Sequence, residues 1–147
     1  MKTLLTVLLF VFMPSLIFSQ GFVPNDVEMA LSRIEQAFRT ASPQSIEDMI
    51  PSSITMRLQD SLYQSISSIQ AMNVLKSFFD SKKDISFQLT TPGHGTMSFT
   101  DAATGKKETV AVDLWMARHM TGPTIYALNI SNYPQATVFY NIPGNKK

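Results

Sequence analysis

The spacing of apolar residues along the first part of the chain predicts two helices. The segment DVEMALSRIEQAFRT (26–40) repeats apolar residues three and four positions apart, on one helical stripe: Val27, Ala30, Leu31, Ile34, Ala37 and Phe38. Asn25 precedes this stripe, and Glu28 follows three positions later, as in a capping box. A second, short helix begins near Pro43 and ends before Pro51, because proline suits the first helical position and interrupts a helix elsewhere.

Beyond Pro51 the period changes to alternation, which predicts strands. Turn segments rich in glycine and proline separate several of the alternating runs. Six strands are predicted: SSITMRL (52–58), LYQSI (62–66), DISFQLT (84–90), TMSFTDA (96–102), ETVAVDLWMARHM (108–120) and TIYALNISNY (124–133). The longest of them has an apolar face made of Val110, Val112, Leu114 and Met116.

The segment SSIQAMNVLKSFFD (67–80) interrupts the strands with a helical period. Its polar row is Gln70, Asn73, Ser77 and Asp80, and its apolar positions are Ile69, Ala71, Met72, Val74, Leu75, Phe78 and Phe79. An apolar arc this wide predicts a helix enclosed on more than one side. The order of elements therefore predicts an α+β fold, in which a curved antiparallel sheet wraps around a long central helix and two N-terminal helices complete the core.

The first 19 residues are expected to form a secretory signal peptide. Lys2 supplies a positive start, an apolar run extends from Leu4 to Met13, and Pro14 ends the run before small and polar residues. A membrane anchor is the competing interpretation, but a span needs roughly 20 apolar residues. With cleavage after Ser19, the mature protein is expected in the periplasm or in the extracellular medium.

The mature chain is expected to be one domain, residues 20–134, followed by a C-terminal tail or an extra strand at 135–147. The sequence has 12 Lys and Arg against 11 Asp and Glu, and Lys2 lies in the leader, so the mature chain is close to neutral. Nucleic acid is therefore not an expected partner, because it requires a concentrated basic face. The absence of cysteine excludes disulfides, cysteine nucleophiles and thiolate metal sites.

The predicted central helix carries a recognisable order of residues, S-x-x-Q-A-x-x-x-L-K-x-F-F: Ser67, Gln70, Ala71, Leu75, Lys76, Phe78 and Phe79. Together with ITMRL before it and GTMSFTDAATG and TVAVDLWMA after it, this order resembles an uncharacterised family of small exported bacterial proteins. That family has the nuclear transport factor 2-like fold, also called cystatin-like, a cone formed by a bent sheet around a long helix. The resemblance extends over about residues 27–132 and implies the fold without implying an activity.

The same superfamily includes isomerases and cyclases. A resemblance to these enzymes would imply an inward-pointing carboxylate as general base, often with a tyrosine as hydrogen-bond donor. The inward rows at 85–89 and 97–99 contain no Asp or Glu, and Asp113 points outward if the valine face packs inward. We therefore expect a non-enzymatic exported domain that binds a small ligand or a partner protein. Two alternatives stay open: an enzyme using Asp113 with Tyr126 or Tyr63, and a purely structural envelope protein with a filled interior.

Three residues are candidates for binding a ligand at the open end of the cone: Arg118, Tyr126 and Tyr63. An arginine with tyrosines suits a small anionic or amphipathic ligand, although an arginine that extends to solvent beside core aromatics is the alternative. His94 and His119 have no second ligand two or four positions away, so neither a metal nor a cofactor is predicted.

The outer face of the sheet is predicted to contact a second copy of the chain, which would make a homodimer. Ala111, Asp113 and Trp115 alternate onto this face of the longest strand. Aromatic anchors contribute much of the binding energy of interfaces. Trp115 is therefore the expected centre of the contact.

Overall fold

The structure, a computed structural model, describes residues 26–132. The predicted leader, the predicted tail at 135–147 and the capping residue Asn25 lie outside the described residues. The elements are α1 (Asp26–Arg39), a short 3-10 helix (Pro43–Met49), β1 (Ile54–Leu58), β2 (Ser61–Ile66), α2 (Ser68–Asp80), β3 (Lys82–Thr91), β4 (His94–Asp101), β5 (Lys107–His119) and β6 (Gly122–Ser131). The two N-terminal helices, the later helix and the six strands predicted from the spacing are all present.

The strands form one curved sheet in the order β2-β1-β6-β5-β4-β3. Neighbouring strands are antiparallel except for β1 and β6, which run parallel with Met56 opposite Leu128. The expectation of an entirely antiparallel sheet was therefore wrong for this pair. The chain passes through α2, β3, β4 and β5 before β6 reaches β1, and the spacing of residues within a strand does not encode the direction of so distant a partner.

One face of the sheet packs against the helices and forms the core. The ring of Phe38 in α1 lies 5.5 Å from Phe79 and 5.1 Å from Phe87, centroid to centroid. The ring of Phe78 lies 5.5 Å from Phe79 and 5.9 Å from Phe99. These five rings join both helices to the sheet. Most strand residues predicted to face inward are buried with them: Ile54, Met56, Leu58, Phe87, Met97, Phe99, Val110, Val112 and Leu114. The other three predicted inward residues, Ile85, Leu89 and Met116, are partly buried and pack against this core.

Helix α2 begins at a capping box and buries one face. The Ser67 hydroxyl accepts a hydrogen bond from the Gln70 N–H, and the Gln70 side chain accepts one from the Ser67 N–H. The buried face consists of Ala71, Met72, Leu75, Phe78 and Phe79. Ile69 is 71% exposed, because it leaves the helix on the same side as Asn73, one turn further on. The buried face of α2 is therefore narrower than its apolar arc, and enclosure of α2 on more than one side is not confirmed.

Candidate functional site

An open groove runs between α2 and the β1–β2 hairpin, and we call it the α2–β2 groove. Its volume is about 410 Å³, which lies within the range of small-molecule sites. The residues that line it are Leu58, Gln59, Ser61, Tyr63, Asn73, Val74, Ser77 and Phe78. The helix and the hairpin both contribute polar side chains, so the groove is the first candidate for a binding site.

Local structure explains why these side chains converge. Asn73 and Ser77 lie one turn apart on α2 and therefore share one side of the helix. Tyr63 is opposite Met56 in the β1–β2 ladder. Opposite residues of an antiparallel pair point to the same face, and Met56 is buried in the core. Tyr63 therefore faces the side of the sheet that carries the helices.

Gln59 lies in the turn between β1 and β2 and closes one end of the groove. Its φ angle is 53°, in the left-handed region that costs of order 1–3 kcal/mol for a residue other than glycine. The Gln59 N–H donates to the carbonyl of Ile130 at 2.6 Å, and its side-chain amide donates to Glu108 Oε2 at 3.1 Å. Contacts to β5 and β6 therefore hold this residue in place.

Four polar side chains of the groove are available to a ligand. Within the part of the chain that the structure describes, the side chains of Ser61, Tyr63, Asn73 and Ser77 make no hydrogen bond. The described lining also contains no Asp, Glu, Lys, Arg or His. The groove therefore offers uncharged hydrogen-bonding groups above an apolar floor made of Leu58, Val74 and Phe78.

A buried lysine lies next to the groove, beneath the ring of Phe78. The Lys82 side chain is 4% exposed, and its ammonium lies 2.9 Å from a carboxylate oxygen of Asp101. The same ammonium is 5.4 Å from the ring centroid of Phe78 and 4.9 Å from that of Phe99, both within cation–π range. Hydrogen bonds from Lys82, and then from Thr104, hold the pKa of Asp101 well below its usual value.

The pair gives a prediction about acid stability. Because its folded-state pKa is depressed, Asp101 contributes stability above the unfolded pKa of about 3.9 and loses it as the pH falls below that value. Asp101→Asn is therefore expected to flatten the dependence of the thermal midpoint on pH between about pH 5 and about pH 2, measured by circular dichroism. Asp80→Asn, which removes an exposed ion pair with Lys76, is the control and should keep the wild-type slope. An unchanged slope in Asp101→Asn would contradict the role of the pair.

Glu108 is an inward-facing carboxylate that the predicted inward rows left out. It is opposite Phe99 in the β4–β5 ladder and two positions before Val110, so it continues the apolar face of β5. Extending the alternation of β5 by one step, from Val110 back to Glu108, would have identified it. Its carboxylate contacts the Gln59 amide and lies 3.4 Å from the Lys106 ammonium. Glu108 is therefore a paired group at the end of the core.

A second polar cluster lies on the opposite face of the sheet. His94 Nδ1 lies 2.9 Å from Asp113 Oδ1, and Asn129 Nδ2 donates to Asp113 Oδ2 at 2.9 Å. The Ser131 hydroxyl donates to Asn129 Oδ1 at 2.8 Å. Asp113 faces away from the helices, as the alternation predicts, but it is only 3% exposed. His94 and Asn129 are among its partners, whereas the catalytic alternative placed Asp113 beside a tyrosine inside the cone.

Residues 31–131 match the family described as Domain of unknown function (DUF4783). The match covers more than half of the chain. The chain belongs to this family. No curated protein matches it significantly. The resemblance to an uncharacterised family of the nuclear transport factor 2-like fold is thereby confirmed.

Solved structures of DUF4783 proteins share the fold of this chain. One from Bacteroides fragilis YCH46 is 15% identical with a TM-score of 0.54, and the comparison covers 69% of this chain and 96% of that one. One from Bacteroides uniformis ATCC 8492 is 13% identical with a TM-score of 0.53, covering 71% and 97%. An NTF2-like protein of unknown function from Exiguobacterium sp. 255-15 is 14% identical with a TM-score of 0.51, covering 69% and 95%. Such low identities show the fold alone.

The three predicted ligand residues of this DUF4783 chain do not line one described pocket. Tyr63 lines the α2–β2 groove. Arg118 extends from the exposed end of β5, and its guanidinium lies 2.8 Å from a carboxylate oxygen of Asp26. Tyr126 lies in β6, between Ile125 and Ala127, where the pairing with β5 shifts register. A shared ligand role for the three residues stays a prediction.

The other predicted site residues of the DUF4783 chain are placed as follows. On the outer face, Ala111 is exposed, Trp115 is partly exposed and Asp113 is buried. His119 is opposite Gly122 at the β5–β6 turn, far along β5 from Asp113. Across residues 26–132 there is no group of three or more potential metal ligands. In the same range, no helix combines the length and the apolar character that crossing a membrane requires.

Proposed function

We propose that this protein is an exported, non-catalytic domain that binds a small uncharged ligand in the α2–β2 groove, in the periplasm or outside the cell. The observation that carries the proposal is the set of uncommitted hydrogen-bonding side chains in the groove: Ser61, Tyr63, Asn73 and Ser77. Small-molecule sites combine an apolar lining, which gives affinity, with a few polar groups that orient the ligand. The groove has both, and its size is suitable.

The groove lacks the group that isomerase or cyclase chemistry requires. A general base must approach within hydrogen-bond distance of the proton that it removes, and none of the described lining residues is Asp, Glu or His. Glu108 faces inward but contacts Gln59 and Lys106. Asp113 lies in the cluster on the other face of the sheet. These placements support binding without chemistry.

The packing of the interior also supports a ligand site in the groove. The rings of Phe38, Phe79 and Phe87 are buried where α1 and α2 meet the sheet, so side chains occupy the space that an enclosed ligand would need. A purely structural envelope protein would have the same interior. Variants in the groove therefore distinguish a ligand-binding protein from a structural one, because only the ligand-binding protein has a binding signal that such variants can remove.

Chemical-shift mapping by NMR with acetamide, isopropanol and phenol as small uncharged probes tests the binding function. The backbone amides of residues 58–63 and 73–78 are expected to shift together, because both segments line the groove. Ser77→Arg should abolish these shifts by filling the groove. Lys76→Arg, one position away and outside the described lining, is the matched control. Probe shifts that are the same in Ser77→Arg and in the control would contradict the proposal.

Export is the part of the proposal that rests on the sequence of residues 1–19. Cleavage after Ser19 gives a mature chain that begins at Gln20. Fractionation of cells that produce the full-length protein, followed by mass spectrometry of its N-terminus, is expected to find this mature chain outside the cytoplasm. Uncleaved protein in the cytoplasm would contradict export.

We also propose that the outer face around Ala111 and Trp115 joins two copies of the chain. Asp113 is buried, so its contribution is to hold His94 in position behind this surface. Sedimentation velocity is expected to show a dimer that Trp115→Ala weakens, because large aromatic side chains anchor interfaces. Thr109→Ala, at an exposed position on the same face of β5, is the control. A monomer at high micromolar concentration, unchanged by Trp115→Ala, would contradict the dimer.

A further inference from the structure

We infer that the ligand of the α2–β2 groove is an uncharged ring rich in hydroxyl groups, that is, a neutral carbohydrate. The inference rests on the proposed binding function and deepens it. Three features of the groove carry it: hydroxyl and amide side chains, an aromatic and aliphatic floor, and a described lining without charged residues.

The hydrogen-bonding groups of the groove match those of a sugar. Ser61, Tyr63 and Ser77 each present a hydroxyl that both donates and accepts, and Asn73 adds an amide with a donor end and an acceptor end. A sugar hydroxyl also donates and accepts, so each pairing is satisfied in either direction. Within residues 26–132 these four side chains make no hydrogen bonds, so a sugar would break no described contact when it binds.

The floor of the groove matches the other side of a sugar ring. Tyr63 is partly buried and packs against the core cluster, so its ring is held in position before a ligand arrives. The face of an aromatic ring carries partial negative charge, which attracts the polarised C–H bonds on one face of a sugar. Val74 and Phe78 extend the apolar surface on the helix side. A ring with a C–H face and a hydroxyl rim fits a groove with an apolar floor and a polar rim.

The absence of charged residues from the described lining argues against charged ligands. A charged ligand that enters this groove would lose hydration without gaining a counter-charge from the described lining. Charged groups beside the groove are engaged elsewhere: Lys82 is paired with Asp101, Glu108 with Lys106, and Lys76 with Asp80. Phosphates, acidic sugars and amino sugars are therefore expected to bind more weakly than neutral sugars.

A peptide is the other occupant that the test must separate. Peptides that bind along a sheet use the backbone groups of an exposed strand edge. The groove presents side chains from α2 and from the inward face of the hairpin, and these suit a ring of hydroxyls better than a repeating row of N–H and C=O groups. A blocked dipeptide is therefore one arm of the experiment.

The experiment is an NMR titration of the purified protein with cellobiose and maltose as neutral probes. Glucuronate and glucosamine serve as charged counterparts, and N-acetylalanine methylamide serves as the peptide probe. The neutral disaccharides are expected to shift the amides of residues 58–63 and 73–78, and the charged sugars should bind at least about tenfold more weakly. Asn73→Ala and Ser77→Ala should each weaken disaccharide binding about three- to tenfold, because each removes one neutral hydrogen bond.

Two variants on β3 are the matched controls for Asn73→Ala and Ser77→Ala. Gln88→Ala and Ser86→Ala remove an amide and a hydroxyl at exposed positions at the other edge of the sheet, and both should bind like the wild type. Circular dichroism of every variant shows whether it is folded.

The outcomes separate the ligand class from the binding function. Groove shifts produced by the dipeptide, or by other small uncharged probes, without shifts from the disaccharides would overturn the carbohydrate class and leave the groove as a binding site. Equal binding of charged and neutral sugars, or full binding by both alanine variants, would also overturn the class. A groove whose amides respond to none of the probes would overturn the class and the proposed function together.

Discussion

Replacing Phe79 with alanine is expected to lower the free energy of unfolding by about 3–5 kcal/mol. Phe79 is 2% exposed, and its ring lies 5.5 Å from the rings of both Phe38 and Phe78. Truncation removes the transfer free energy of the ring and leaves a cavity between α1 and α2 that the surrounding side chains fill only partly. Urea unfolding followed by circular dichroism measures the loss as a lower midpoint at an unchanged slope.

Ile69→Ala is the matched control for Phe79→Ala, because it truncates an apolar side chain on the same helix. Ile69 is 71% exposed, and substitutions at such surface positions usually change stability by less than about 0.5 kcal/mol. A large stability loss for Phe79→Ala with a small one for Ile69→Ala would show that α2 is buried on one face only. Equal losses would mean that the sheet or another element encloses the helix at Ile69, as the width of its apolar arc first suggested.

The period of the apolar residues was sufficient to predict the helices and strands, because burial on one side selects it directly. Val110, Val112 and Leu114 alternate along β5 and all pack into the core. The number of apolar residues in α2 did not show how much of the helix is buried. Ile69 is apolar, but its exposure depends on which side of the helix the sheet covers. The sequence therefore predicted the elements better than it predicted their enclosure.

Pairing between strands was predictable only where a short turn fixes it. Counting back from the β5–β6 turn would put Leu128 opposite Asp113. The register shifts between Trp115 and Met116, however, and Asn129 is opposite Asp113 instead. A bulge of one residue exchanges the side chains on the two faces of a strand. The polar cluster on the outer face therefore could not be found by counting along the chain.

The candidate site was predicted in part for a similar reason. Tyr63 was identified as a candidate from its strand, and Asn73 and Ser77 were recognised as part of the polar row of α2. Nothing local connects the hairpin to the helix, and the groove exists only because the core packing brings them side by side. Arg118 was grouped with Tyr63 because it continues the predicted inward row of β5. It lies at the C-terminal end of β5, however, and contacts Asp26.

Replacing Asn129 with leucine is expected to lower the free energy of unfolding by about 3 kcal/mol, because a hydrogen bond to a buried charge is lost. Asn129 is fully buried, and its amide donates to Asp113 Oδ2 at 2.9 Å. Leucine has a similar size but no donor, so the carboxylate keeps its desolvation cost and loses one of the groups that offset it. Urea unfolding measures this loss. Ser98→Ala, which removes an exposed hydroxyl contact to Thr109 at 2.9 Å, should change stability by less than about 0.5 kcal/mol.

A second replacement separates the cost of the buried charge from a simple packing defect. In the double variant Asp113→Leu/Asn129→Leu the charge itself is gone, and apolar residues of suitable size can replace a buried polar pair at little cost. His94 remains half exposed at the surface, where water can solvate its ring. The double variant is therefore expected to be more stable than Asn129→Leu alone. If the second substitution instead adds a further loss, the shape of the cluster is what stabilises this face of the sheet, and the account based on the Asp113 charge is wrong.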